Sequence, residues 1–191
     1  MLGSRTIKSL TALVASMTVG TLVLMLLETA PIRPTDDTSL AAVSSDSRRT
    51  GDQVFSTEVP LKSDMWRNVV IHATGHEGRA VAEQSHFVLT EDSLVATDLW
   101  RTQVTGSHIF APGRDWNSDT IGICLDGDYM FDAPDEKQFE LLTSLVRTIQ
   151  QACDIPADRV YLYGELVPES RSPGEAFPAT AFNRRLLQLR R

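Results

Sequence analysis

Apolar positions follow three different rhythms along the chain, and each predicts a different element. From Ser9 to Leu27 the sequence SLTALVASMTVGTLVLMLL runs nineteen residues without a charge. As a helix rising 1.5 Å per residue it would be about 28 Å long, close to the hydrocarbon thickness of a bilayer. Short aliphatic runs come next: Val69-Val70-Ile71-His72-Ala73, Thr120-Ile121-Gly122-Ile123-Cys124-Leu125 and Val160-Tyr161-Leu162-Tyr163. Such runs predict short strands, apolar enough to be buried on both faces. His86-Phe87-Val88-Leu89-Thr90 and Leu94-Val95-Ala96-Thr97, separated by Glu91-Asp92-Ser93, predict a β-hairpin. The third rhythm is helical. Phe139, Leu142, Leu145, Val146, Ile149 and Ala152 recur on one face between Pro134 and Pro156. Proline suits the first turn of that helix, and Asp135 and Glu136 suit the positive end of its dipole. Ala181 to Leu189 predicts a closing helix.

Between the membrane-length segment and the first strand the pattern stops. Residues 28–62 include PIRPTDDTSLAAVSSDSRRTGD and hold too little apolar surface to offset the entropy of ordering them. The chain therefore divides into an N-terminus (1–8), a transmembrane anchor (9–27), a disordered linker (28–62) and one folded domain (63–191). Alternating strands, one long amphipathic helix and loops gathered at one edge make that domain α/β, with a central mixed β-sheet flanked by helices. Arg5 and Lys8 precede the anchor, whereas Glu28, Asp36 and Asp37 follow it. That asymmetry places the N-terminus in the cytoplasm and the domain outside a cell membrane crossed once. A cleaved signal peptide, leaving a secreted or periplasmic domain, is the competing reading. Cleavage after Ala30 would put Glu28 at the −3 position and Pro31 just after the cut, so the anchor is preferred.

Charge narrows the partners. The whole chain carries a formal net charge of −7 with a pI near 5.0. Basic residues cluster only at Arg184, Arg185, Arg190 and Arg191, which argues against a nucleic-acid partner. Cys124 and Cys153 make neither a metal-ligand spacing nor a disulfide framework, and the spacing leaves open whether they pair.

Candidate chemistry begins at His72, a titratable group closing a buried strand and followed by the small residues Ala73, Thr74 and Gly75. Sheet proteins often build sites at such a rim. The competing role is a strand-end histidine satisfied by backbone. The long loop from Trp100 to Asn117 carries His108 and Trp116, and loops of that length in compact domains are usually functional or mobile. His86 lies beside Phe87, where packing is the default. His76 sits in a short polar piece where solvation is the default. Asn117 can fix the loop by Asx-type bonding or touch a ligand.

Several fragments then fall into a recognisable order. They are Val69-Val70-Ile71-His72-Ala73-Thr74, His86-Phe87-Val88-Leu89, Gly106-Ser107-His108 and Asn117-Ser118-Asp119-Thr120-Ile121-Gly122-Ile123 with Gly127-Asp128-Tyr129. Pro134 with Gln138, and Tyr163-Gly164-Glu165 through Ser172-Pro173-Gly174, complete the set. From about Trp66 to Arg191 the chain resembles the zinc-dependent N-acetylmuramoyl-L-alanine amidase family, which includes the peptidoglycan recognition proteins and phage T7-type lysozyme. The resemblance implies a mixed sheet with a groove for peptidoglycan or muropeptide, the groove here lined by His86, His108, Asn117 and Trp116. It also implies hydrolysis of the amide between N-acetylmuramic acid and L-alanine. The family's zinc is held by two histidines and a cysteine or aspartate, and it activates a water molecule.

By that resemblance the first ligand position is His72, the second falls on Glu165 and the third on Ser172. A neutral hydroxyl is a poor zinc ligand beside a thiolate, because zinc favours anionic or imidazole donors. Ser85 stands where lysozyme-type members carry an assisting tyrosine, and the segment between Glu165 and Ser172 is one residue shorter than usual. One ligand of three survives, a pattern that predicts loss of the zinc site. Three readings remain. The first is a catalytically degenerate module that binds cell-wall material. The second is an active amidase whose zinc site is rebuilt from His72, Glu165 and either His76 or His108, with Glu165 as the candidate catalytic carboxylate. The third is a tethered protein-interaction domain. A Ser172–His72–Glu165 nucleophilic triad lacks the sharp turn such a serine needs.

Overall fold

The computed structural model describes residues 48–75 and 82–187. The predicted anchor (9–27), most of the predicted linker and His76 lie outside those residues. Among the described residues no helix is long and apolar enough to cross a membrane.

Every predicted strand is present. They are β1 (Asn68–Ala73), β2 (Phe87–Leu89), β3 (Leu94–Ala96), β4 (Thr120–Leu125) and β5 (Val160–Leu162). They form one mixed sheet in the order β3-β2-β4-β1-β5. β4 runs parallel to both β1 and β2, β5 runs parallel to β1, and β3 closes the β2–β3 hairpin antiparallel. Helices α1 (Asp98–Arg101), α2 (Glu136–Cys153), α3 (Tyr163–Leu166) and α4 (Ala179–Arg185) accompany the sheet, with a 3-10 turn at Ala157–Arg159 before β5. The sequence rhythm did not predict α1 and α3, each a single turn. α2 starts after Pro134 rather than on it, because Asp135 is the N-cap and its carboxylate accepts from Gln138 N at 2.6 Å. It ends at Asp154, in a left-handed conformation with φ 52°.

Register assigns each strand residue to a face, because paired residues share one. Val69, Ile71, Ile121, Ile123, Leu125, Phe87, Leu89 and Val160 fall on one face together. All belong to the hydrophobic core, which Leu141, Leu142, Leu145, Val146 and Ile149 of α2 complete. Burying each such side chain contributes about 1.5–3 kcal/mol. The opposite face carries Val70, His72, Gly122, Cys124, Val88 and Tyr161, none of them in that core. β1 and β4 are buried on both faces, as expected, whereas Val95 of β3 is exposed and Tyr161 and Leu162 of β5 are half-buried. The two faces are chemically unlike. Cys124 and Cys153 are buried free thiols.

Part of the predicted linker is ordered. Residues 48–55 are helical. Val54 is fully buried in the core, and its carbonyl accepts from Trp100 Nε1 at 3.0 Å. Gln53 Oε1 takes the outer N–H of Ala96 on edge strand β3 at 2.9 Å. The Thr50 hydroxyl lies 3.1 Å from Ser144 Oγ and 3.3 Å from Thr148 Oγ1 on α2. Composition missed this segment because its order comes from distant partners and not from its own apolar content.

Candidate functional site

The sheet face turned away from α2 gathers three histidines. His72 stands on β1, His86 just before β2, and His108 arrives on the loop that follows α1. The rings of His72 and His108 lie 6.0 Å apart between centroids, with planes only 16° from parallel. His86 meets His108 edge-on at 5.4 Å. Two glycines make room for the His108 ring. A Cβ on Gly122 of β4 would stand 2.5 Å from its Cδ2 and Nε2, and one on Gly106 would stand 2.5 Å from its Nδ1. Glycine inside a strand often marks such a close approach.

Asn117 holds the His108 loop in shape. Its Oδ1 accepts from His108 N and Ile109 N, both at 3.0 Å, and its Nδ2 donates to Ile109 O at 2.8 Å. The Asn117 side chain is therefore spent on the loop, the loop-fixing role of the two open to it, rather than on the groove. His86 is also enclosed rather than groove-lining: it is fully buried, and both nitrogens are used. Its Nδ1 accepts from Gly122 N at 2.9 Å, so Nε2 carries the proton and donates to Val104 O at 3.0 Å.

Hydrogen bonding also fixes the tautomer of His108. Its Nδ1 faces the Gln84 carbonyl at 3.2 Å and must donate, which leaves Nε2 a bare lone pair. His72 Nε2 lies 2.8 Å from Ser85 Oγ. Ser85 is fully buried, so the contact orients the ring instead of presenting a nucleophile. Among the described residues, His72 Nδ1 and His108 Nε2 are the buried side-chain atoms without a partner. Burial, and then the neighbouring His108, hold His72 and His86 down to about pKa 3. Burial holds His108 down to about 4, against the pull of its bond to Gln84. All three rings are neutral at physiological pH.

The remaining expected positions do not join this cluster as ligands. Glu165 is exposed, and its Oε2 accepts from Leu162 N at 2.8 Å, capping α3. Ser172 Oγ accepts from Ala73 N at 2.9 Å, so it bonds the strand beside His72 and not the His72 ring. A Ser172–His72–Glu165 triad is not assembled. Among the described residues no three His, Cys, Asp or Glu side chains are grouped to hold a metal ion. The donors at 165 and 172 do not fit a zinc tripod on His72.

Trp116 sits at the rim, half-buried. The Arg114 guanidinium lies 4.0 Å above its ring, Tyr161 meets it edge-on at 5.7 Å, and Arg114 pairs with Asp119 at 2.9 Å. Tyr163 lies 6.2 Å from His72, and its hydroxyl accepts from the N–H of the exposed Phe110 at 3.4 Å. Sequence reasoning missed the Ser85 contact, the Tyr163 position and the Gly106–Gly122 seat. A glycine in the middle of the Thr120–Leu125 run was the available signal for the seat.

The sequence profile of the N-acetylmuramoyl-L-alanine amidase family matches residues 62–175. No curated protein sequence matches the chain. Among solved structures, the endolysin amidase LysCS from Clostridium intestinale URNW is 19% identical, with a TM-score of 0.52 over 68% of this chain and 90% of that one. AmiD from E. coli, in complex with the substrate anhydro-N-acetylmuramic acid-L-Ala-D-gamma-Glu-L-Lys, is 16% identical, with a TM-score of 0.54 over 67% and 61%. Drosophila PGRP-LB is 17% identical, with a TM-score of 0.51 over 66% and 86%.

Proposed function

The chain belongs to the N-acetylmuramoyl-L-alanine amidase family, and on that footing we propose that it binds peptidoglycan or its muropeptides without hydrolysing them. One observation carries this reading: the two side chains at the family's other ligand positions are committed elsewhere. The Glu165 carboxylate caps its own helix, and the Ser172 hydroxyl bonds the Ala73 backbone. Polarising the scissile carbonyl and generating a hydroxide-like nucleophile both need a metal held by at least three protein donors in this class of site. Support for binding comes from an aromatic rim of Trp116, Tyr161 and Tyr163, in which Arg114 stacks on Trp116 and pairs with Asp119. AmiD, which shares the fold, is seen with a muramoyl peptide, and that supports the same ligand class for this chain. The charge-free stretch 9–27 supports a place at the outer face of a cell membrane, beside the wall.

A rebuilt zinc hydrolase is the second reading, favoured by the two unpartnered nitrogens on His72 and His108. The full chain, incubated with insoluble peptidoglycan and with soluble muropeptides, separates the two. Saturable binding without release of stem peptide is expected. Stem-peptide release that His72→Ala abolishes would overturn the proposal, and absence of any binding would leave a tethered protein-interaction domain.

A further inference from the structure

Ala73 ends β1 with an amide that the sheet does not satisfy. Thr74 N donates to Leu125 O on the β4 side, so the Ala73 N–H points toward β5. There the ladder runs out: β5 pairs only as far as Leu162 opposite Ile71, and the chain turns into α3 at Tyr163. Ser172 supplies the missing acceptor through Oγ at 2.9 Å. The same residue is tied back to the start of α3, because Gly164 N donates to Ser172 O at 2.9 Å. Only glycine permits that approach, since a Cβ at 164 would lie 2.8 Å from Ser170 O and 3.3 Å from Ser172 O. Glu165 closes the turn by accepting from Leu162 N at 2.8 Å. Beyond it, Gly174 at φ 142° lies so close to Tyr129 that a Cβ would stand 2.2 Å from its carbonyl, and Ala176 N donates to Tyr129 O at 2.9 Å.

Glu165 and Ser172 are also the positions that match the family's second and third zinc ligands, and the inference rests on that family reading. A metal bound by those two positions and by His72 would tie segment 163–174 to the end of β1. In this chain, the hydrogen bond from Ala73 N to Ser172 Oγ makes that tie, while Glu165 closes the start of α3. We infer that a hydrogen-bonded latch, with Ser172 joining the 163–174 segment to Ala73 beside His72, has replaced the metal, so that the groove is held in shape without any metal ion. Each ligand position has been converted to a bond with the main chain: the third holds the strand, and the second holds the helix start. The latch leaves His72 as part of the wall.

The full chain tests this without any cell-wall ligand. Purified without chelator, it is expected to carry substoichiometric zinc by elemental analysis. Its melting temperature is expected to be unchanged by EDTA and by added zinc. Ser172→Ala is expected to speed hydrogen exchange at the Ala73 amide by roughly tenfold or more, with Ser172→Thr restoring most of the protection. Near-stoichiometric zinc that disappears in His72→Ala, a fall in melting temperature with EDTA, or unchanged Ala73 exchange in Ser172→Ala would each overturn the latch. None of these readouts depends on peptidoglycan, so failure of the latch and failure of the binding proposal are separately visible.

Discussion

His72 Nε2 and Ser85 Oγ lie 2.8 Å apart inside the fold, joining β1 to the segment that enters β2. Both residues are buried, so neither can turn to water if the other is lost. Ser85→Ala is therefore expected to destabilise the domain by about 1–3 kcal/mol, the cost of leaving a buried polar atom unsatisfied. Urea denaturation checks this, and a midpoint equal to wild type would show that the contact contributes nothing.

Gly122→Ala tests the seat of His108. The new Cβ would stand 2.5 Å from the ring, whose loop Asn117 holds in place. Overpacking of this kind costs about 1–3 kcal/mol. The variant should also lose the Gly122–His86 contact geometry, visible as changed imidazole resonances of both His86 and His108 by NMR. Unperturbed histidine signals would mean that the ring does not lie where Gly122 places it.

Acid should unfold the domain from a higher pH than carboxylates alone predict. His72 and His86 are held at about 3 and His108 at about 4 in the folded state, mainly by burial. In the unfolded chain histidine titrates near 6.5. Below that value the unfolded state binds more protons, so stability falls as pH falls. Stability is full above about pH 6.5 and is lost progressively down to about 4 for His108 and about 3 for His72 and His86, by up to roughly 1.4 kcal/mol per pH unit for each histidine. Denaturation midpoints measured from pH 7.5 to 5 should decline steadily; a flat series would contradict the burial of the three rings.

Val54→Ala addresses the segment that composition alone assigned to a disordered linker. Val54 is fully buried, and its carbonyl holds Trp100, whose ring packs against Phe87 at 4.8 Å. Truncating it is expected to cost about 2 kcal/mol. The same substitution in a true linker would leave the denaturation curve where it was.

Local pattern by itself determined the strands, the hairpin, the long helix and the order of motifs that carry the family. Each of these depends on neighbours a few residues apart, so Val69 to His72 or Phe139 to Ile149 announce their element without reference to the rest of the chain. Tertiary structure alone decided which sheet face is core and which carries the histidines, because that choice depends on register between strands tens of residues apart. It decided that residues 48–55 are ordered, since their partners lie on β3, α1 and α2 and not nearby in sequence. It decided, too, how Glu165 and Ser172 are used. Their residue types left open a rebuilt metal site, and only the missing ladder acceptor at Ala73 and the bare helix start at Leu162 show where their oxygens go.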